Sequence, residues 1–309
     1  MAIIWTKLIP RWGGDTIEPP EAKKDAGWLA GDKPPAKWWN WFQKGTYEAL
    51  DETRDVIENI DTQLAQKVSQ TQFNELFVNA DARNSIYRGK SLGSTYTLAQ
   101  QQAVSSGTFE DMYIGDYWTI GGVNYRIAAF NYYRRTGDVD LTTNHITLVP
   151  DTQLYLHIMN DTNITTGGYT GSKMYLTGLD QAKATINAAF PSKVLTHRQT
   201  LCNATVDGKA SGFAWFDSNV ELMNEVMIYG CSVFGDSNLG GSGGGFNIGV
   251  GKSQLPLFAL NPKLINTRQS FWLRDVASAA LFAFVNSNGS ASCNTASSAL
   301  GVRPAFSIS

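Results

Sequence analysis

The sequence predicts an α+β fold in three parts: an extended N-terminal segment, a coiled-coil helix, and a large domain of short strands and helices. Three observations predict it. Pro10, Pro19, Pro20, Pro34 and Pro35 forbid a regular helix through residues 1–37. No proline interrupts the chain from Trp38 to Val78, where apolar residues recur at alternating steps of three and four. From about residue 83 the texture changes to short apolar runs cut by Gly, Asn and Asp.

The first part, residues 1–37, is too rich in Pro and Gly to build a core, yet it carries Trp5, Trp12 and Trp28. Apolar anchors on an extended segment dock on a partner, so these three tryptophans are the expected attachment residues. The alternative is a tail folded back on its own domain. The second part, residues 38–82, opens with Trp38, Trp39, Trp41 and Phe42. One stripe runs Phe42, Thr46, Ala49, Thr53, Val56, Ile60, and a second runs Leu50, Thr53, Ile57, Ile60, Leu64. The other faces are acidic, with Glu48, Asp51, Glu52, Asp55, Glu58 and Asp61. This seam predicts a short parallel homotrimer stem through Phe42, Leu50, Ile57, Ile60 and Leu64. A helix packed along its own domain is the alternative.

The third part, residues 83–309, holds the bulk. Tyr113 to Phe130 reads as a hairpin turning at Gly121-Gly122, and His145 to Pro150 as a further strand. Helices are expected over Thr97–Ser105 and Asp180–Phe190, the latter with Leu179, Ala182, Ile186 and Phe190 on one face.

Composition bounds the function. The chain has 309 residues, 43% of them apolar, enough for one large or two ordinary cores. A net charge of −2 offers no basic field, so nucleic acid is not expected as a partner. Charged residues make up 17%, and Gly, Ser, Thr, Asn and aromatics take their place, a surface suited to sugar or protein contact. Cys202, Cys231 and Cys293 are too widely spaced for a disulfide framework or a zinc motif and are expected as free, mostly buried thiols. No signal peptide is read at the N-terminus, and the longest near-apolar run, Val276 to Val285, is far short of a membrane span, so no membrane insertion is expected.

The search for chemistry yields little. His145, His157 and His197 lack the spacing of a metal site, and no metal or cofactor is expected. Asp217, Glu221 and Glu225, four apart, would share a helix face and are the best acid–base candidates; a solvated helix face is the plainer reading. Gly240 to Gly245 lacks the Lys-Ser/Thr ending of a phosphate loop, and Asp236 with Asn238 is a weak calcium signal. The chain is therefore not expected to be an enzyme.

Two stretches resemble known families. Lys23-Lys24-Asp25-Ala26-Gly27-Trp28, with Gly31-Asp32-Lys33-Pro34-Pro35-Ala36-Lys37-Trp38-Trp39-Asn40-Trp41-Phe42, resembles the opening of phage and prophage tail fibre proteins. Phe271-Trp272-Leu273-Arg274, Asn288-Gly289 and Gly301-Val302-Arg303-Pro304-Ala305-Phe306 look like a lectin-like domain of tail proteins from phages of Firmicutes. Asn160 to Met174 and Thr196-His197-Arg198 are similar to the same family. The resemblance implies a C-type-lectin-like fold over most of residues 85–309. It implies a homotrimeric fibre of a virion tail or tail-like particle, assembled in the bacterial cytoplasm and released. The N-terminus would attach to a baseplate or tail protein, and the C-terminal domain would bind a bacterial cell-surface receptor, expected to be a glycan. In the resembling proteins the loop region between Arg274 and Gly301 faces the receptor. Asn286, Asn288, Ser290 and Asn294 are the expected contacts there, with Trp215 and Tyr229 as aromatic platforms. Arg303 and Arg274 are expected to pair inside the domain. The competing functions are a spike-like enzyme cleaving a surface polysaccharide and a purely structural fibre of an injection device.

Overall fold

A computed structural model describes residues 13–66, 80–235 and 253–309. The chain divides into two compact units, Met1–Phe73 and Asn74–Ser309.

In the first unit, helix α1 spans Glu21–Ala26 and helix α2 spans Ala36–Gln66, 31 residues. Pro20 enters α1 with φ −56° and ψ 148°, and Gly27 ends it at φ 68°, where a side chain would be strained. Helix α2 starts directly after Pro34-Pro35, whose rings suit a helix start and forbid a helix through them. The segment before α2 doubles back on it. The Ile17 amide donates to the Lys37 carbonyl at 3.1 Å, Asn40 Nδ2 donates to the Asp15 carbonyl at 2.9 Å, and Trp28 stacks on Trp38 at 5.9 Å.

The expected architecture is corrected here. Residues 13–35 are not an extended anchor: they carry α1 and fold onto the start of α2, because the indoles bury more area there than in water. Among the described residues helix α2 stands singly, with no second long helix beside it, so no coiled coil is evident there. A heptad stripe with Thr46 and Thr53 in it is too thin to specify one from a single chain. The chain is a mixed α/β protein of helices and several sheets rather than an anchor, a coiled coil and a C-type-lectin-like domain.

The second unit opens with α3 (Ala80–Arg83) and α4 (Leu98–Ser106). Thr97 and Gln100 form a reciprocal capping box at the start of α4. Strands β1 (Tyr117–Ile120) and β2 (Val123–Phe130) form the anticipated hairpin. Gly121 and Gly122 turn it at φ 60° and 80°, the left-handed pair that a two-residue turn demands. Then follow β3 (Ile146–Pro150), β4 (Tyr155–His157), α5 (Asp180–Ala189), β5 (His197–Val206), β6 (Lys209–Ser218), β7 (Val220–Leu222) and α6 (Glu225–Tyr229). Helix α7 (Pro256–Leu260) leads to β8 (Phe271–Val276), β9 (Leu281–Val285), β10 (Ala291–Thr295), β11 (Leu300–Val302) and β12 (Pro304–Ile308).

The strands make one sheet of order β1-β2-β3-β12-β7, another of order β10-β9-β8-β11-β4, and the separate β5–β6 hairpin. Arg303 lies between β11 and β12, where the chain passes from the second sheet to the first. Leu179, Ala182, Ile186 and Phe190 are fully buried on the inner face of α5, as their spacing predicts. Phe190 meets Tyr125 at 5.3 Å and Trp118 at 6.4 Å, and Tyr125 meets Phe306 at 5.7 Å, nearly edge to face. This aromatic cluster ties α5, the β1–β2 hairpin and the last strand into one core.

Candidate functional site

The expected receptor contacts sit on short connections. Residues 286–290 are the turn between β9 and β10, closed by the Asn286 amide donating to the Ser290 carbonyl at 2.8 Å. Asn286 Oδ1 accepts from the Ser287 amide at 2.7 Å, and Asn288 Oδ1 accepts from the Ser290 amide at 3.0 Å and hydroxyl at 2.7 Å. Gly289 takes φ 88°. The asparagines are thus turn formers whose side-chain carbonyl oxygens are occupied, and Ser287, Asn288 and Ser290 are exposed. Asn294 lies on β10, with its Oδ1 accepting from the Thr295 amide at 2.8 Å. Tyr229, at the end of α6, donates its hydroxyl to the Gly289 carbonyl at 3.1 Å and is half-buried, so it braces this turn. Trp215 is elsewhere: it is half-buried on β6 opposite Thr200. The structure therefore brings Tyr229 to the 286–290 turn and leaves Trp215 on another sheet.

The carboxylate trio does not share a helix. Asp217 is on β6, Glu221 on β7 and Glu225 on α6, because Ser218 and Asn219 end one strand and start another. Glu221 is buried and accepts from the Tyr169 hydroxyl at 2.8 Å; burial holds its carboxyl above the usual range. Glu225 accepts from the amides of Val233, Phe234 and Gly235 at 2.8–2.9 Å. Asp275, on β8, accepts from the Glu225 amide at 2.7 Å. Burial first, and the Glu225 charge second, push Asp275 up to about 7. A cleft of about 280 Å³ adjoins this pair, lined by Lys209, Phe234, Gly235 and Ala277 among others. Gly235 is held to glycine, since a Cβ would meet the Asp275 Cβ at 2.8 Å. A carboxyl titrating near neutrality beside a cleft has a property proton transfer uses. Here both carboxylates are buried: Glu225 fastens residues 233–235 by their amides, and Asp275 holds the Glu225 amide in turn. Sequence spacing misses this pair, because Glu225 and Asp275 are fifty residues apart.

Both arginines are buried in the domain, as expected, but are held by uncharged oxygens rather than by an acidic partner. Arg274 Nη1 donates to the Leu222 carbonyl at 2.8 Å, and Gln199, with its oxygen turned inward, accepts from Arg274 Nη2 at 2.8 Å. Arg303 Nε donates to the Pro150 carbonyl at 2.8 Å, with the guanidinium over Phe271 at 5.0 Å. His145 Nε2 accepts from the Tyr133 amide at 3.0 Å, and His197 stacks on Tyr133 at 3.6 Å. Burial lowers His145 to about 4 and His197 to about 3, so both imidazoles are neutral at physiological pH. Cys202 is buried, but Cys231 is exposed and Cys293 half-buried, which corrects the expectation of mostly buried thiols.

In the first unit, Trp28 is 38% exposed, and Trp5 and Trp12 lie outside the described residues. Phe42, Leu50, Ile60 and Leu64 are exposed along α2, and Ile57 is half-exposed. Trp38, Trp39 and Trp41 join Trp28 and Phe42 around a groove that the sequence signals only as a dense Trp-Trp-Asn-Trp-Phe run. The Gly240–Gly245 run, Asp236 and Asn238 lie outside the described residues. Among the described residues, no three His, Cys, Asp or Glu side chains converge to hold a metal ion, and no helix is long and apolar enough to cross a membrane. Comparison with protein families, curated proteins and solved structures finds no match to this chain.

Proposed function

We propose that the chain is a receptor-binding fibre protein of a phage tail or tail-like particle. In this reading it assembles as a homotrimer, attaches to a tail or baseplate protein through its N-terminal unit and binds a bacterial surface glycan through its C-terminal unit. The tail-fibre resemblance of residues 23–42 supports it. The observation that carries it is the uneven distribution of apolar surface. The unit Asn74–Ser309 seals a core of large aromatics, whereas α2 leaves Phe42, Leu50, Val56, Ile60 and Leu64 about half or more exposed. An apolar stripe of that length on a water-soluble chain marks an interface.

The test is adsorption of the labelled full-length protein to a panel of bacterial strains. Saturable binding to some strains, lost when surface glycans are stripped by periodate, is the expected result. Equal binding to every strain, or none, would sink the proposal. Shortening of purified capsular polymer over time would instead favour the competing reading, polysaccharide cleavage.

A further inference from the structure

The first unit contains a groove of about 520 Å³ walled by Trp28, Trp38, Trp39, Trp41 and Phe42. The rings are held in two stacked pairs, Trp28 on Trp38 at 5.9 Å and Trp39 on Phe42 at 5.8 Å. The Lys23 and Lys24 ammonium groups lie over the Trp28 and Trp41 rings at 5.2 and 5.5 Å. Both are already neutralised, Lys23 by Asp32 and Lys24 by Glu18 and Glu21. The groove therefore offers flat aromatic area and few uncommitted polar groups. That argues against a sugar, which needs several hydrogen-bond partners at once. It also argues against an acidic peptide, whose carboxylates would compete with three already in place.

One occupant is on display. Among residues 13–64, Pro19 is the one buried residue, and it lines this groove. Pro20 beside it has φ −56° and ψ 148°, the polyproline II conformation. The aromatic groove is thus already lined by one proline of its own chain, whose neighbour is in the polyproline II conformation. Prolyl rings pack on indole faces without needing a donor, and the polyproline II helix is stiff before binding, so little order is lost. Much of the face is still open, with Trp39 43% and Phe42 52% exposed.

We propose that the open part of this groove binds a proline-rich extended segment of a partner protein. The inference rests on the fibre reading only in naming that partner as a component of the particle. The test titrates the full chain with an acetylated, amidated decaproline peptide, against a Gly-Ser peptide of equal length, by calorimetry and indole fluorescence. The expected result is saturable binding of decaproline alone, weakened by about tenfold or more in Trp39→Ala and in Phe42→Ala. Alanine is the best helix former, so both variants should keep α2, which far-UV circular dichroism checks. No saturable binding, equal binding of the Gly-Ser peptide, or unchanged affinity in both variants overturns the proposal. So does binding that appears only after deletion of residues 1–12, or only upon dilution to monomers, which would give the groove to the chain's own N-terminus or to a second copy. Adsorption to cells reads the other unit, so failed peptide binding with intact adsorption refutes this inference and leaves the fibre reading standing.

Discussion

His145 and His197 show how single residues set the acid limit of the C-terminal unit. Both are buried, and their values fall from 6.5 to about 4 and about 3. The unfolded chain therefore binds their protons first, and stability is lost as pH falls below 6.5 toward the folded values. At pH 5 each costs roughly 2 kcal/mol. Asp275 acts in the opposite sense. Raised from 3.8 to about 7, it binds its proton first in the folded state, so its contribution is present at low pH and is lost as pH rises through 7. Glu221, also raised by burial, acts in the same sense as Asp275. Denaturant titrations at pH 7 and 5 should show a net loss of at most about 2 kcal/mol, and Asp275→Asn should roughly double it. An unchanged slope in that variant would contradict the assignment. Arg303 gives a second prediction at this scale. Burial lowers it to about 10, yet its guanidinium serves the Pro150 and Leu264 carbonyls. Arg303→Ala should cost about 3 kcal/mol or more, through orphaned carbonyls and a cavity between Phe258 and Phe271, and would be read as a fall in the denaturation midpoint. The roles of Arg274 and Arg303 were legible from their place beside apolar strands. The Tyr133–His197 stack was not, since sixty-four positions of chain separate the two rings.

Elements with local signals were read correctly, and those set by distant contacts were not. The β1–β2 hairpin follows from Gly121-Gly122, and α4 follows from the Thr97–Gln100 box; both signals lie within four residues. Thr97→Ala should therefore cost about 1 kcal/mol, measurable by thermal unfolding. The Asp217–Glu221–Glu225 spacing misled because periodicity cannot see that Ser218-Asn219 breaks the run into separate strands. The doubling-back of residues 13–35 was only the alternative reading of the sequence, because Pro19 shares its groove with Trp28, Trp38 and Trp41, nine to twenty-two positions further on. The turn at residues 286–290 gives a further prediction at this scale. Asn288 holds two groups of Ser290, so Asn288→Ala should destabilise by about 1 kcal/mol rather than be neutral, and its adsorption must be compared at equal folded fraction. For α2, Ile57→Asp with Ile60→Asp tests the proposed homotrimer: if the exposed stripe takes part in assembly, the sedimenting mass should fall, since each aliphatic covered there would contribute about 1.5–3 kcal/mol. An unaltered mass would show that the stripe takes no part in it.

At the scale of the whole molecule, the division into Met1–Phe73 and Asn74–Ser309 predicts that residues 80–309 fold alone. Expressed separately, they should keep a cooperative unfolding transition and cell adsorption, the latter weakened by lost avidity. The two sheet orders were beyond the sequence, because pairing depends on partners far apart in the chain, as with Ile146 and Ile308. That pairing has a consequence for biosynthesis. Strand β12 sits between β3 and β7, and β11 between β8 and β4, so the last strands are interior members of both sheets. A ribosome elongating at about 5–20 residues per second leaves the Tyr117 strand waiting on the order of ten to forty seconds for Ile308. During that interval β3, β7, β4 and β8 have emerged with open edges and bare apolar faces, a state that invites aggregation. Nascent chains should therefore depend on trigger-factor-type chaperones, and slowing translation near the 3′ end of the message should lower the soluble yield.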